Sequence, residues 1–415
     1  MTHIDVSQAN PPSLKRFVPN RTWQLAAVGI VLVSLVRWVS GVDSLTSSGS
    51  FAAAIGSAVP IMMAGLGALV SERAGVINIS LEGSMILGTF GAGWIGWQHG
   101  PWLGLLAAVL FGTIGAIVHA TATVTFGVDQ IISGVAVNIL ALGLSQYLAT
   151  AMFQGTPGGG RTQSPPIPPI GRVSLPGADW MLGALEDTHI VVVSDVAAAL
   201  RAALVDVPIV TVIAFALVVA TSVVLWRTAF GLRHRMCGED PFAADTLGVN
   251  VVRHKYAAVV ASGAFAGLGG GYLAIVAANI YREGQTAGRG FIGLGTVVFG
   301  NWMPSGMAGG AALFGYIDSQ QLRSEAGAHA MLLLLAAFVA AVTLYLAWKR
   351  DWKRSTRLGL IAGATALWYA ATDVLPPQAA FIAPYVATLV VLAAAGKGFR
   401  PPKMTGVPFR KGEQS

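Results

Sequence analysis

The chain has 415 residues, of which 54% are hydrophobic and only 11% are charged, whereas soluble domains typically carry about 25% charged residues. Such a chain has too few polar groups to cover a globule in water, and no polar stretch is long enough to form a separate soluble domain. The net charge of +7 lies in short basic clusters between apolar runs, which is typical of membrane-protein loops and argues against a nucleic-acid partner. The single cysteine, Cys237, excludes an internal disulfide, and no His/Cys spacing indicates a metal site.

The apolar runs predict an all-α transmembrane bundle. A span needs about 20 mainly apolar residues, and the sequence predicts about ten spans. They are expected at 23–42, 50–70, 83–97, 102–126, 131–153, 208–226, 256–279, 329–348, 358–374 and 379–396. The first run is too long for a signal-peptide core and lacks an obvious cleavage site, so we expect it to remain in the protein.

A further apolar stretch, 291–316, is interrupted in its middle by Asn301, Trp302 and Pro304. This interruption predicts two half-spans or a re-entrant hairpin. In the span 256–279, Gly263, Gly267 and Gly271 recur every fourth residue, and this stripe predicts close packing of a second helix rather than a phosphate-binding loop.

The basic residues predict an orientation. The segments 15–21, 227–255, 349–357 and 397–415 together hold 18 of the 26 Lys and Arg residues. The positive-inside rule places these segments in the cytoplasm. We therefore expect a cytoplasmic segment 1–22, a transmembrane permease domain 23–396 and a cytoplasmic tail 397–415. The orientation is consistent only if 291–316 goes in and comes back out.

The same orientation puts loop 154–206 outside. This loop opens with a run rich in proline and glycine that excludes a regular helix. Its later part, 188–204, has the pattern of a short amphipathic helix lying on the membrane surface.

Two stretches carry the chemistry. The first, 71–88, places Glu72, Arg73, Asn78 and Glu82 among apolar residues; it is either a solvated loop or a discontinuous helix that lines a translocation path. The second, 238–250, has Asp240 as a helix N-cap, Pro241 at the first helical position and Gly248 past the end. It predicts a helix of about seven residues, too short to be stable alone, which is either a connector or an element that docks on its own domain or on a partner.

Three asparagines lie within or at the ends of spans: Asn138, Asn279 and Asn301. Each could contact a polar solute or bond a neighbouring helix. No GxxxxGK[ST] stretch occurs, so any ATPase must be another chain. No clustered catalytic set is found, and we expect a transport subunit rather than an enzyme.

The stretch ERAGVINISLEG (72–83) resembles the signature of bacterial nucleoside and simple-sugar ABC permeases, in the form typical of the nucleoside branch. The sugar branch reads more like IDLSVGS, which is absent here. Further stretches agree in the same order along the chain. They are VDQIISGVAVNILALGL (128–144), the stretch 238–273, GRGFIGLGTVVFGNWMPSG (288–306) and RPPKMTGVPF (400–409).

The resemblance implies an importer subunit in the bacterial cell membrane. It implies a second related permease, an extracytoplasmic substrate-binding lipoprotein, and an ABC ATPase that binds ATP and Mg, with no cofactor in this chain. It also implies that 238–250 is the ATPase-coupling helix. The expected coupling residues are Glu239, Asp240, Pro241, Phe242, Ala243, Ala244, Asp245 and Gly248.

We therefore predict a nucleoside importer permease. The expected substrate pathway residues are Asn78, Glu82, Glu72, Asn138, Asn279 and Asn301. A permease for a simple sugar or another small polar solute is the alternative. An ATP-independent secondary transporter would need a relay of acids within the spans, for which only Glu72 and Glu82 are candidates. The chain departs from the family pattern in an extra two-span hairpin, 329–374, and in the long outer loop.

Overall fold

The computed structural model describes residues 20–323, 325–372 and 399–410, and this part of the chain is an all-α bundle, as predicted. Strands within the described ranges are limited to one short antiparallel pair, β1 (Arg172–Val173) with β2 (Val207–Pro208). The α-helices are α1 (Asn20–Ser40), α2 (Ser48–Arg73), α3 (Leu81–His99), α4 (Pro101–Ala120), α5 (Gln130–Phe153), α6 (Ala178–Glu186), α7 (Val193–Leu204), α8 (Ile209–Arg227), α9 (Ala229–Glu239), α10 (Pro241–Thr246), α11 (Val251–Tyr272), α12 (Arg289–Phe299), α13 (Pro304–Arg323), α14 (Glu325–Trp348) and α15 (Trp352–Ala371).

Six helical segments of the described chain are long and apolar enough to cross a membrane. They are Asp43–Arg73, Pro101–Thr125, Gln130–Phe153, Ile209–Arg227, Val251–Ala277 and Glu325–Trp348. The predicted runs 23–42, 83–97 and 358–374 also fall on helices, namely α1, α3 and α15, but these are outside the six. The predicted span 379–396 lies outside the described residues. The predicted count of about ten spans is therefore not confirmed.

Helix α2 is the centre of the bundle. Its sequence is apolar on all faces, which is the pattern of a helix buried on every side, and Met63 and Leu66 have no exposed surface. The helix begins after Ser47, whose side chain accepts a hydrogen bond from the Ser50 N–H. It ends before Gly75, which has φ +84°, a conformation that glycine adopts at little cost.

The predicted glycine stripe does pack a second helix closely. On α11, Gly263 and Gly267 face Gly112 of α4, and a Cβ built on Gly267 would lie 2.3 Å from the carbonyl oxygen of Ala108. A Cβ on Gly263 would lie 2.2 Å from the Ala116 Cβ. Because side chains larger than hydrogen do not fit, the two backbones approach closely, which confirms the packing interpretation.

The predicted interruption in 291–316 is also confirmed. Helix α12 ends at Phe299 and α13 begins at Pro304. Between them, Asn301 and Trp302 have φ of +50° and +54°, which ends a regular helix. With 11 residues, α12 is about 16 Å long, roughly half the thickness of a bilayer core. We call residues 300–303 the hairpin break.

The outer loop 154–206 folds against the first residues of α2. Asp195 of α7 accepts a hydrogen bond from Arg37 of α1 at 2.7 Å, and Glu186 of α6 accepts one from the Ser48 N–H at 2.9 Å. The predicted helix in 188–204 is confirmed as α7, while its position on a membrane surface stays a prediction. We call the end of the bundle at which the outer loop contacts Arg37 and Ser48 the loop end. Helix α2 has 26 residues and is about 39 Å long, so its last residue, Arg73, lies at the opposite end of the bundle. Helices α9 and α10 lie at the same end, and we call it the α10 end.

Candidate functional site

The stretch between α2 and α3, residues 74–80, is not helical although it is buried inside the bundle, and we call it the broken segment. Side chains from other helices bond its backbone. The Ile77 N–H donates to Gln130 at 2.7 Å, and the Ile77 carbonyl accepts from His119 Nε2 at 3.2 Å. The Ile79 carbonyl accepts from Asn138 Nδ2 at 3.0 Å. Unwound backbone in an apolar interior requires such partners. The structure therefore confirms that the stretch 71–88 is a helix interrupted by a non-helical segment.

Asn78 and Glu82 are both buried and both bonded to protein groups. The Asn78 amide donates to the Ser262 hydroxyl at 2.9 Å and accepts from the Ser80 N–H at 3.0 Å. Glu82 accepts from the Gly288 N–H at 3.0 Å through one oxygen and from the Gly290 N–H at 2.7 Å through the other. Glu82 therefore caps the first turn of α12, where a carboxylate also meets the positive end of the helix dipole.

The remaining predicted pathway residues divide between two places. Asn138 joins Asn78 and Glu82 at the broken segment, because its Oδ1 accepts from the Gly83 N–H at 2.7 Å. Glu72 and Asn301 lie at the hairpin break instead. Asn279 is at neither place; it is exposed near the loop end, and its carbonyl accepts from the Ile167 N–H.

The hairpin break is bound to the last turn of α2. Arg73 donates from Nε and Nη2 to the Trp302 carbonyl at 3.0 and 2.6 Å, and the Trp302 indole N–H donates to Glu72. The Arg73 guanidinium also lies over the ring of Trp226 at 5.3 Å, and its Nη1 is 4.0 Å from Glu239. The adjacent charged residues Glu72 and Arg73 thus connect α2 to α8, to α9 and to the hairpin break.

Together these contacts hold α12 at both ends. Glu82 binds its first turn, and Glu72 and Arg73 bind Trp302, just past its last residue. All three belong to residues 72–83. The signature stretch is therefore a clamp on the short helix α12, because it contacts the helix at its first turn and just past its last residue.

Helix α10 has the predicted caps. The Asp240 side chain accepts from the Ala243 N–H at 2.9 Å, Pro241 is at the first helical position, and Gly248 has φ +80°. Ala244 is buried with Cys237 and Val251, so it packs α10 against this chain. The other predicted coupling residues lie at or near the surface, except Pro241, which is buried. They are Glu239, Asp240, Phe242, Ala243, Asp245 and Gly248.

The tail residues 399–410, which we call the tail segment, lie across the α10 end. The Met404 N–H donates to the Gly238 carbonyl at 2.9 Å and the Gly406 N–H to the Gly75 carbonyl at 3.3 Å. The ring of Phe409 is 5.3 Å from that of Phe242. The sequence of this tail carries the family resemblance but no local pattern that predicts these contacts.

Some of the side chains that contact the broken segment and the last turn of α2 carry a sequence signal, and others do not. His119 and Ser262 are polar residues inside apolar spans, the same criterion that singled out Asn138. Trp226 and Gln130 lie at span ends and carried no such signal. Arg73 and Trp302 were noticed but given no partner, because their contact joins residues 229 positions apart.

Six helical segments of the described chain that are long and apolar enough to cross a membrane are typical of a polytopic membrane protein. A family model described as "Branched-chain amino acid transport system / permease component" matches residues 50–342, and the chain belongs to this family.

Individual relatives agree. Over 365 residues, covering 86% of this chain and 95% of the relative, the chain is 33% identical to the guanosine ABC transporter permease protein NupQ of Bacillus subtilis. It is 31% identical to the nucleoside ABC transporter permease protein NupC of Lactococcus lactis over 63% of this chain and 78% of that one. It is 35% identical to TsgC13 of Haloferax volcanii, provisionally named a glucose ABC transporter permease protein, over 67% and 78%. No solved structure matches the chain.

Proposed function

We propose that this ABC transporter permease imports nucleosides. The observation that carries the proposal is the similarity to the guanosine permease NupQ, which extends over 95% of that relative. The form of the stretch 72–83 supports the same solute class, because it reads as the nucleoside branch does. The proposed solute route runs beside α12, the short helix that this stretch clamps.

The permease acts with partners in this proposal. An ABC ATPase, which carries the ATP and Mg, docks on α10; a second related permease completes the channel; and an extracytoplasmic lipoprotein delivers the nucleoside. The chain lies in the bacterial cell membrane with both termini in the cytoplasm. Two requirements support this orientation. The positive-inside rule places the four basic segments in the cytoplasm, and α10 must face the cytoplasm for the ATPase to dock on it.

The predicted route residues Asn78, Glu82 and Asn138 shape the wall of the route in this proposal. Their polar atoms bind backbone and side-chain groups of neighbouring helices. This favours the alternative in which they pin helices together over direct contact with the solute. Glu72 and Asn301 take the equivalent role at the hairpin break.

Two other functions are distinguishable. A sugar permease is favoured by the 35% identity to TsgC13. A secondary transporter would need free acids as a proton or sodium relay, but Glu72 and Glu82 already accept hydrogen bonds from Trp302 and from α12, which argues against that role.

Uptake by the complete transporter tests the proposal. The chain is expressed with its partner genes in bacteria that lack nucleoside uptake, and entry of radiolabelled guanosine, adenosine, uridine and glucose is measured. We expect nucleoside entry that unlabelled nucleosides compete, that persists with a protonophore and that stops when the ATPase is inactivated. Glucose entry without nucleoside entry would assign the sugar function, and nucleoside entry that survives loss of the ATPase would assign secondary transport.

A further inference from the structure

The tail segment, 399–410, joins three parts of the α10 end that are far apart in sequence. Its backbone N–H groups bond the last turn of α9 through Gly238, the broken segment through Gly75, and the hairpin break through the Asn301 side chain. The Arg400 N–H to Asn301 distance is 2.7 Å. The tail segment is thus attached to α9 and to both interruptions of helix at the α10 end.

Two glycines make room for this crossing. Gly75 has φ +84°, and a Cβ built there would lie 3.2 Å from both the Met404 carbonyl oxygen and the Gly238 Cα. A Cβ on Gly238 would lie 2.5 Å from the Arg73 carbonyl oxygen. Three chain segments meet at a point that has no room for side chains, so the close approach of the tail segment depends on glycine at both positions.

Residues of the tail segment also pack beside α10. Phe409 packs on the cluster of Cys237, Ala244 and Val251, and its ring meets that of Phe242. The buried Lys255 of α11 donates to the Val407 carbonyl at 3.5 Å. A helix of six residues has no stability of its own, so its orientation depends on what it packs against.

We propose that the tail segment is a positioning element of the ATPase-docking surface. It fixes the orientation of α10 through Phe409, and it connects α10 to the broken segment and to the hairpin break. The partner is the ATPase chain, so the inference rests on the proposed function. Phe409 acts through Phe242 and is not itself a transport residue.

The test is Phe409→Ala in the complete transporter reconstituted in nanodiscs. We expect a two- to tenfold fall in the affinity of the ATPase for the permease, since an aromatic pair contributes about 0.5–1.5 kcal/mol. We also expect more ATP hydrolysed per nucleoside imported. Phe409→Tyr keeps the ring and restores both values. The matched control is Phe215→Ala, an exposed phenylalanine of α8, which leaves both values unchanged.

Unchanged ATPase affinity and unchanged stoichiometry in Phe409→Ala would overturn the inference. If the unaltered permease does not bind the ATPase at all, the proposed function fails instead, and the two failures are thereby separated. A second variant covers loss of folding in Phe409→Ala. Phe409→Leu keeps an apolar side chain against the cluster of Cys237, Ala244 and Val251 but removes the ring, and we expect ATPase affinity and stoichiometry to change in the same direction in a permease with a normal melting midpoint. Unchanged affinity and stoichiometry in that folded variant would also overturn the inference.

Discussion

Glu82 is an ionisable residue in the interior of an apolar bundle, and its charge is stabilised without a neighbouring cation in hydrogen-bond contact. Both carboxylate oxygens accept backbone N–H groups of the first turn of α12. A buried charge is tolerated when it is hydrogen-bonded in this way, and the helix dipole adds to the effect. The residue therefore contributes to the stability of the bundle by holding the first turn of α12.

The first prediction follows from this cap. Glu82→Gln removes the charge and replaces one acceptor oxygen by a donor that faces an N–H group. We expect a loss of about 1.5–3 kcal/mol, the range for hydrogen bonds to charged groups, with a lower melting midpoint and lower membrane abundance. Glu325→Gln, which alters an exposed carboxylate in the first turn of α14, is the matched control. Normal melting and abundance with reduced uptake would instead assign Glu82 to solute contact.

A second prediction concerns His234 of α9, whose ring is buried and bonded through Nε2 to the Val70 carbonyl at 2.9 Å. Burial lowers the pKa of His234 to about 4, a shift that the Val70 hydrogen bond opposes and the nearby His254 assists. The unfolded ring has a pKa near 6.5, so stability is full above that pH and is lost as pH falls toward 4. The loss is roughly 3 kcal/mol.

Hydrogen exchange of α9 between pH 7 and pH 4 measures this effect. We expect protection to fall through that window in the unaltered protein and to change much less in His234→Gln, which keeps an N–H donor but does not titrate. His189→Gln, in the exposed outer loop, should follow the unaltered protein. The same pH dependence in His234→Gln would assign the effect to another group.

At the scale of elements, α10 was predictable because its signals are local. Asp240, Pro241 and Gly248 stand within nine residues and mark both ends of the helix. The hairpin break and the glycine stripe were predictable for the same reason. The sequence did not predict that α4 and α11 each end in a π-helical turn, Thr121–Thr125 and Leu273–Ala277, since no proline or glycine marks either one. The partners of Glu82 are 206 and 208 residues away, and no local pattern encodes such a contact.

The third prediction belongs to α10. Ala243 is only partly buried, so Ala243→Asp places a carboxylate where the ATPase is proposed to dock. Desolvating an unpaired charge costs several kcal/mol, and we expect loss of ATPase association by more than about tenfold while the permease remains inserted. Co-purification of the ATPase measures this. Ala203→Asp makes the same change at an exposed alanine of α7, at the loop end, and should leave association intact. Full uptake by Ala243→Asp would contradict the coupling role of α10.

At the scale of the whole molecule, the two interruptions of helix are linked. The broken segment and the hairpin break both contact the tail segment, and residues 72–83 hold both ends of α12. The polar side chains at the two interruptions therefore connect segments that are far apart in sequence. The sequence located these polar residues correctly, but it did not distinguish a tie from a solute contact, because that distinction depends on which distant atoms meet them.

The orientation of the bundle gives the last prediction. The predicted outer loop, 154–206, and the basic hairpin tip, 349–357, should be accessible from opposite sides of the membrane. Native Cys237 is a poor reporter, because its side chain is buried and burial raises the pKa of its thiol to about 11, an effect that nearby Lys255 only partly opposes. Since the thiolate is the reactive form, we expect little maleimide labelling of Cys237 near pH 7 even in permeabilised cells.

Single cysteines in a Cys237→Ser background test the orientation directly. Arg161 and Lys353 are both exposed, so Arg161→Cys should be labelled in intact cells by a membrane-impermeant maleimide, and Lys353→Cys only after permeabilisation. The Cys237→Ser protein alone gives the background for both. If Lys353→Cys were labelled in intact cells and Arg161→Cys were not, the bundle would be inverted. Helix α10 would then lie outside, where no ATP is available, and the coupling proposal would fall together with the orientation.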